Sequence, residues 1–274
     1  MDQSMIGGAK DGYLDDVCAI FDRHSHPIVL VEQCAMVWMG IPANPTEYDF
    51  LVRDSQIEDI LTAFIASGEW EQVEQDLSTR LGDPYVRQVP RLRRAVREPF
   101  YISLWPEKIY FLSVDGPVRQ VPNVDCSDYV LIEEEFDPGH DHPLTKAALE
   151  ARGTRIVPKC LAQRENTSPI FVPTITRMIE ALLNQDRYRL EHARELDVLT
   201  NRPGDHISNF VSALYLERPH QQAKLLPRIS DHNLSSMEAK VAGFKRRRSS
   251  MVLERLTRFP NAPLRASSSE TRGA

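Results

Sequence analysis

Residues 28–53 constrain this chain more than any other stretch. Ile28-Val29-Leu30-Val31 follows Pro27 as an unbroken β-branched and aliphatic run, the pattern of a strand covered on both faces. Cys34 to Met39 supplies an apolar helical turn that Gly40 and Pro42 close. Phe50-Leu51-Val52 then reads as a second strand, with Glu47 and Asp49 at its start. Strand side chains alternate in direction, so residues two apart share a face. Both carboxylates are therefore expected to look into one site, an arrangement suited to a divalent metal such as magnesium.

These residues carry a resemblance. Strand, turn, helix and a Thr46-Glu47-Tyr48-Asp49 strand resemble the nucleotidyltransferase fold of the DNA polymerase β superfamily, in its minimal and antitoxin-toxin-like branches. In that family a Gly-Gly or Gly-Ser turn follows the first strand, and Thr-Asp-x-Asp opens the second. More specifically, the chain resembles an uncharacterised group of fungal proteins of this fold. Trp38-Met39-Gly40, the strand Asp49-Phe50-Leu51-Val52-Arg53 and residues 214–221, Leu-Tyr-Leu-Glu-Arg-Pro-His-Gln, carry that likeness. The fold likeness covers the first half and the group likeness most of the chain. It implies an α/β architecture, a mixed sheet with packed helices. By the same resemblance Glu47 and Asp49 are the catalytic and magnesium-holding pair, and Glu32 and Gln33 stand at the nucleotide-binding turn.

The departures from the family pattern are chemical. A glycine turn lets backbone approach a triphosphate, and a helix N-terminus gives its N–H groups to the phosphates. Glu32 sets a carboxylate there instead. Two like charges about 4 Å apart, at an effective dielectric near ~20, repel by about 4 kcal/mol. Glu47 replaces the first Asp of the motif and is one methylene longer. The family's third carboxylate belongs on a later strand, and the best candidate, residues 100–105, offers Ser103 and no acid.

Composition sets wider bounds. The 274 residues allow one large or two small domains. A hydrophobic fraction of 42% with 26% charged residues is that of a soluble globular protein, and a formal net charge of −6 argues against nucleic acid as the main partner. No stretch approaches the ~20 apolar residues of a membrane span, so no membrane partner is expected. Met1 to Lys10 lacks the features of a signal peptide. Cys18, Cys34, Cys126 and Cys160 are widely spaced and read as reduced core thiols. A cytoplasmic place is expected, or a nuclear one if the basic segment below is a localisation signal.

Along the chain, Leu14, Val17, Cys18 and Phe21 predict an amphipathic helix over 13–24, with Asp15 and Asp16 in its first turn. Ile57, Ile60, Leu61 and Phe64 predict another over 55–67, capped by Ser55 and ended by Gly68. Leu81 to Arg97 is basic and proline-punctuated, a short strand and connector. Residues 100–105 and 109–114 are two apolar runs separated by Pro106-Glu107-Lys108 and read as a hairpin. Leu30, Leu51, Leu61 and Ile102 are expected to share one core.

After residue 143 helical patterns replace strands, at 144–152, 172–185, 186–197 and 205–217. The expected organisation is a nucleotidyltransferase-like domain over 1–143, a helical extension over 144–236, and a basic, partly disordered tail over 237–274. From Lys240 onward Lys and Arg far outnumber Glu254 and Glu270, and residues 266–274 are small and polar, the composition of a disordered end. Lys245-Arg246-Arg247-Arg248-Ser249-Ser250 reads as a nuclear localisation signal, a basophilic kinase site, or the solvated charge of a helix end.

Other motifs have ordinary explanations beside functional ones. Asp137 to Pro143 places His140 and His142 around a carboxylate, as a metal loop would, but a turn built by Pro, Gly and Asp explains the same residues. Glu133-Glu134-Glu135 reads as a solvated strand end, or as the source of the missing third acid. Trp38 and Trp105 lie in apolar runs and read as core. Two readings of function follow. One is an accessory or interaction protein that keeps the fold without metal-dependent transfer, with a protein partner the residues do not name. The other is a metal-dependent transferase moving a nucleotide to a protein or small-molecule hydroxyl. Glu32-Gln33 and the absent third acid favour the first.

Overall fold

The structure is a computed structural model that describes residues 14–39, 41, 43, 47–74, 88–95, 101–114, 129–131, 168–192, 202–212 and 229–258. Its centre is a mixed sheet. The strands are β1 (Ile28–Val31), β2 (Tyr48–Val52), β3 (Trp70–Val73), β4 (Arg91–Arg94), β5 (Tyr101–Pro106), β6 (Tyr129–Leu131) and β7 (Ile170–Pro173). They lie in the order β3-β4-β5-β2-β1-β7-β6. Strand β2 runs antiparallel to β1 and parallel to β5, while β1 runs parallel to β7. Every residue of β1 and β2 is buried, including Asp49 within the otherwise apolar β2.

Register assigns the two faces. Asp49 lies opposite Ser103, Leu51 opposite Trp105, and Arg91 opposite Ser103. Glu47, Asp49 and Leu51 share a face by alternation, so Ser103, Trp105 and Arg91 share it too. The other face carries Tyr48, Phe50, Ile102 and Leu104, all buried.

Helices α1 (Asp15–Arg23) and α3 (Ile57–Ala66) cover that second face. Phe21 meets Phe50 at 5.3 Å and Phe64 at 6.1 Å between ring centroids, and Phe64 meets Trp70 edge-on at 5.6 Å. Asp16 ties the layer together: it accepts from Trp70 Nε1 at 2.9 Å and pairs with the fully buried Arg94 at 2.5 Å. Leu30, Leu51, Leu61 and Ile102 are all in the one buried core.

Several local expectations change. Helix α3 is capped at Gln56 rather than Ser55, without a side-chain cap bond. The Gln56 amide instead donates to His24 O at 2.8 Å, and its carbonyl accepts from Arg53 at 2.8 Å, fixing the strand-to-helix corner. Gly68, at φ +72°, follows the helix as expected. The hairpin expected from 100–105 and 109–114 does not form. Pro106 ends β5, and Glu107–Tyr110 makes a single helical turn, α4. The Glu107 carboxylate accepts from Val114 N, which closes that turn and leaves no second strand. Ile109 and Tyr110 are buried by it.

The change from strands to helices after residue 143 is incomplete. Ile170–Pro173 is a strand beside β1, and one helix, α5 (Ile175–Glu191), replaces the two expected at 172–185 and 186–197. Thr174 separates them as N-cap, its hydroxyl accepting from Arg177 N at 3.4 Å. The sheet and its core thus take in residues from both sides of residue 143. Helix α6 (Arg202–Phe210) stands where 205–217 was expected to be helical.

Residues 231–258 form a long helix, α7, which covers the first part of the expected tail. Met237 and Val241 are buried in the core, and Phe244 packs against it. Lys245, Arg246 and Arg247 are exposed. The disorder expected over 266–274, the helix over 144–152, His140, His142, Glu133–Glu135, Cys126 and Cys160 lie outside the described residues. Cys18 and Cys34 are buried free thiols, and burial together with the nearby Asp22 pushes the Cys18 thiol up to about 12. Among the described residues, no helix is long and apolar enough to cross a membrane.

Candidate functional site: a buried carboxylate face

The first sheet face holds three carboxylates from two adjoining strand ends. Strand β1 stops at Val31, and Glu32 turns the chain into α2 (Glu32–Trp38) with φ +57°. A side chain in this left-handed region costs roughly 1–3 kcal/mol, so the corner is one that glycine would fill without strain. Glu47 and Asp49 come from the start of the neighbouring strand β2, as expected. All three are buried, at 3%, 3% and 4% exposure. Gln33, the fourth residue expected at the site, is half-buried on α2.

Each carboxylate has a protein partner. The Glu32 carboxylate pairs with Arg202 Nη1, and its other oxygen lies 3.3 Å from His206 Nδ1. Its backbone N–H donates to the Tyr110 hydroxyl at 3.2 Å. Arg202 also donates to Gln185 Oε1 at 2.6 Å and lies 4.7 Å above the Trp105 ring. Glu47 accepts from Arg91 Nε at 2.8 Å, and the Arg91 guanidinium covers the Tyr101 ring at 4.2 Å. Asp49 accepts from the indole N–H of Trp105 at 2.8 Å.

Electrostatics separates the two central acids. Burial raises the Glu32 pKa, but the charges of Arg202 and His206 and the Arg202 hydrogen bond outweigh it, and the carboxyl is held below its ordinary value. Asp49 goes the other way. Burial, then the Glu32 charge, push it well above the usual carboxylate range, against the Trp105 hydrogen bond and the charges of Arg202 and Arg91. Glu32 is thus favoured as the anion that Arg202 faces, while the surroundings of Asp49 favour its protonated form. The repulsion that Glu32 was expected to exert on an incoming phosphate is largely cancelled at its source.

Ser103 lies beside Asp49 on the parallel strand β5, where an acid was sought. It is fully buried, and its hydroxyl has no hydrogen-bond partner among the described residues. Magnesium takes anionic and neutral oxygens in near-octahedral geometry at about 2.0–2.1 Å. At this pair it would have to displace Arg91 from Glu47 and compete with the Trp105 N–H for Asp49, while the third carboxylate of the face, Glu32, is already paired with Arg202. The residues as arranged do not fit the ion. Among the described residues, no group of three or more His, Cys, Asp and Glu side chains is arranged to hold a metal.

Sequence reasoning found the three carboxylates and missed what holds them. Trp105 is core, as expected, but its N–H also serves Asp49. Arg91, Tyr110, Gln185, Arg202 and His206 went unnoticed. One signal was available: Arg202 and His206 are four apart, the spacing that sets two side chains on one helical face. No family model matches the chain, and no curated protein matches it.

Proposed function

We propose that this chain is a nucleotidyltransferase-like protein whose catalytic face is closed by its own arginines, and that it acts as an accessory or interaction protein. The ion pair of Arg202 with Glu32 carries the reading. It fills with a protein cation the corner at which a transferase of that fold would receive nucleotide phosphates. The left-handed φ of Glu32, Arg91 on Glu47, and Ser103 in the register position beside Asp49 support it. A buried charge network of this kind can specify structure, and Arg202, Glu32 and Gln185 already engage one another in it. Fold alone does not confer the activity of its relatives.

The metal-dependent transferase is the competing reading, and a transfer assay separates the two. The chain is incubated with magnesium and each radiolabelled ribonucleoside triphosphate, alone and with a mixture of protein and small-molecule hydroxyl acceptors. No label is expected to move to the chain or to the acceptors. Label transfer that Asp49→Ala abolishes would establish the transferase instead.

A further inference from the structure

Away from the carboxylate face, helices α5, α6 and α7 enclose an open groove with a cavity volume of about 330 Å³. Its lining follows helical spacing. From α5 come Leu183, Asp186, Arg187 and Leu190, which share one face at i, i+3, i+4 and i+7. Val211 adds to the floor after α6, and Phe244 closes it from α7. Leu183 and Val211 are buried, whereas Leu190 is 60% exposed at the open end, the most exposed of the large apolar residues described. Among the described residues this apolar stripe runs from core to solvent, the kind of exposed patch that marks interaction sites.

The rim gives the charge of what would cover it. Arg187, Lys240 and Arg247 line the groove against a single carboxylate, Asp186, which already pairs with Lys240 and with Arg189. Arg246 is exposed one residue before Arg247 on the same helix. The groove therefore presents net positive charge around an apolar floor, on a chain whose overall charge is −6.

We propose that this three-helix groove docks an amphipathic helix of acidic character presented by a partner protein, its apolar side chains against Leu183, Leu190 and Val211 and its carboxylates toward Arg187 and Arg247. Helix-in-groove recognition lays a helix's apolar anchors, at i, i+3 or i+4 and i+7, into an apolar floor, here supplied by Leu183 and Leu190, seven apart on α5, with Val211 and Phe244. Charge on the rim sets the sign of the partner and speeds encounter, while the apolar anchors supply most of the affinity. The groove is separate from the carboxylate face, so this proposal stands or falls independently of whether that face binds nucleotide.

The test uses the full chain and a fluorescein-labelled peptide of about 18 residues, long enough to hold helix in water. It carries leucines on one face and glutamates on the other. Controls are a scrambled peptide of the same composition, a lysine-for-glutamate version, and a short DNA duplex and RNA strand of matched charge. Gly243→Leu is the informative variant: Gly243 lines the groove, and a Cβ there meets only the end of the Arg246 side chain, at 3.9 Å, so the position has room for a side chain that narrows the groove. Fluorescence anisotropy should show micromolar binding of the acidic helix alone, weakened about tenfold or more by Gly243→Leu and by Arg187→Glu with Arg247→Glu. The thermal midpoint of neither variant should fall below that of the unmodified chain, since a leucine for a glycine inside a helix favours the helix. No binding of the acidic helix, equal binding of the scrambled peptide, tighter binding of nucleic acid, or dimerisation of the chain that Gly243→Leu abolishes would each overturn the proposal.

Discussion

Arg202 and Glu32 form a buried ion pair although they stand 170 positions apart in the chain. The pair joins the corner after β1 to α6, and with Gln185 and Trp105 it locks α5 and α6 onto the carboxylate face. Removing only the cation leaves the buried Glu32 carboxylate with His206 as its one remaining charged neighbour among the described residues. Arg202→Met is therefore expected to lower stability by ~3–5 kcal/mol. Arg202→Met with Glu32→Gln should recover most of that loss, and urea denaturation of the single and double variants measures the coupling. Equal losses in both would mean that packing, not charge, is what Arg202 contributes.

The opposed shifts of Glu32 and Asp49 predict opposite dependences on pH. The Glu32 pKa is lowered on folding, so its contribution is present above the unfolded value and is lost as pH falls through the folded one. The Asp49 pKa is raised, so its contribution is full below the unfolded value, about 3.9, and is lost as pH rises through the folded value. Asp49→Asn is neutral at every pH and keeps an acceptor for the Trp105 N–H. It should match the unmodified chain in acid and exceed it in stability at neutral to alkaline pH. A constant deficit across the range in denaturation series would show that Asp49 is held as an ordinary carboxylate.

Leu51 is fully buried on β2 between β1 and β5. Leu51→Ala should cost ~2–5 kcal/mol in denaturant unfolding. A cost within about 0.5 kcal/mol, the range of ordinary surface substitutions, would contradict the central place of β2.

Helix α7 should divide at Phe244. Met237 and Val241 are buried before it, and Lys245, Arg246 and Arg247 are exposed after it. Deleting residues 245–274 is expected to leave the thermal midpoint almost unchanged, whereas Met237→Ala should cost ~2–5 kcal/mol. Unfolding of the truncated chain in a thermal melt would show that the second half of the helix is also needed by the core.

What was legible in the sequence was what local pattern encodes. The runs Ile28–Val31 and Phe50–Val52 announce covered strands because nothing polar interrupts them, and the placement of Glu47 and Asp49 on one face needs only the alternation of a strand. Of the strand Ile170–Pro173, the sequence pattern takes Val172 and Pro173 into the helix expected over 172–185 and gives Ile170 and Phe171 no element. Three apolar residues before a proline are too few to show a period of two. In place of the hairpin, Glu107–Tyr110 makes a helical turn and the Glu107 carboxylate accepts from Val114 N, a side-chain bond that no apolar periodicity records. Arg202 and Arg91 were missed for a similar reason. An arginine in sequence reads as surface, and only the fold brings it to a buried carboxylate.

On the proposed reading the chain's own side chains, Arg202 on Glu32, Arg91 on Glu47 and the Trp105 N–H on Asp49, take the places that a metal and a nucleotide would occupy. Isothermal titration of the full chain with magnesium and ATP, GTP, CTP or UTP tests it most directly, with Asp49→Ala as control. The account predicts no magnesium-nucleotide affinity tighter than about millimolar, which corresponds to about −4 kcal/mol of binding free energy, and no difference between the two chains. A micromolar dissociation constant that disappears in Asp49→Ala would contradict it.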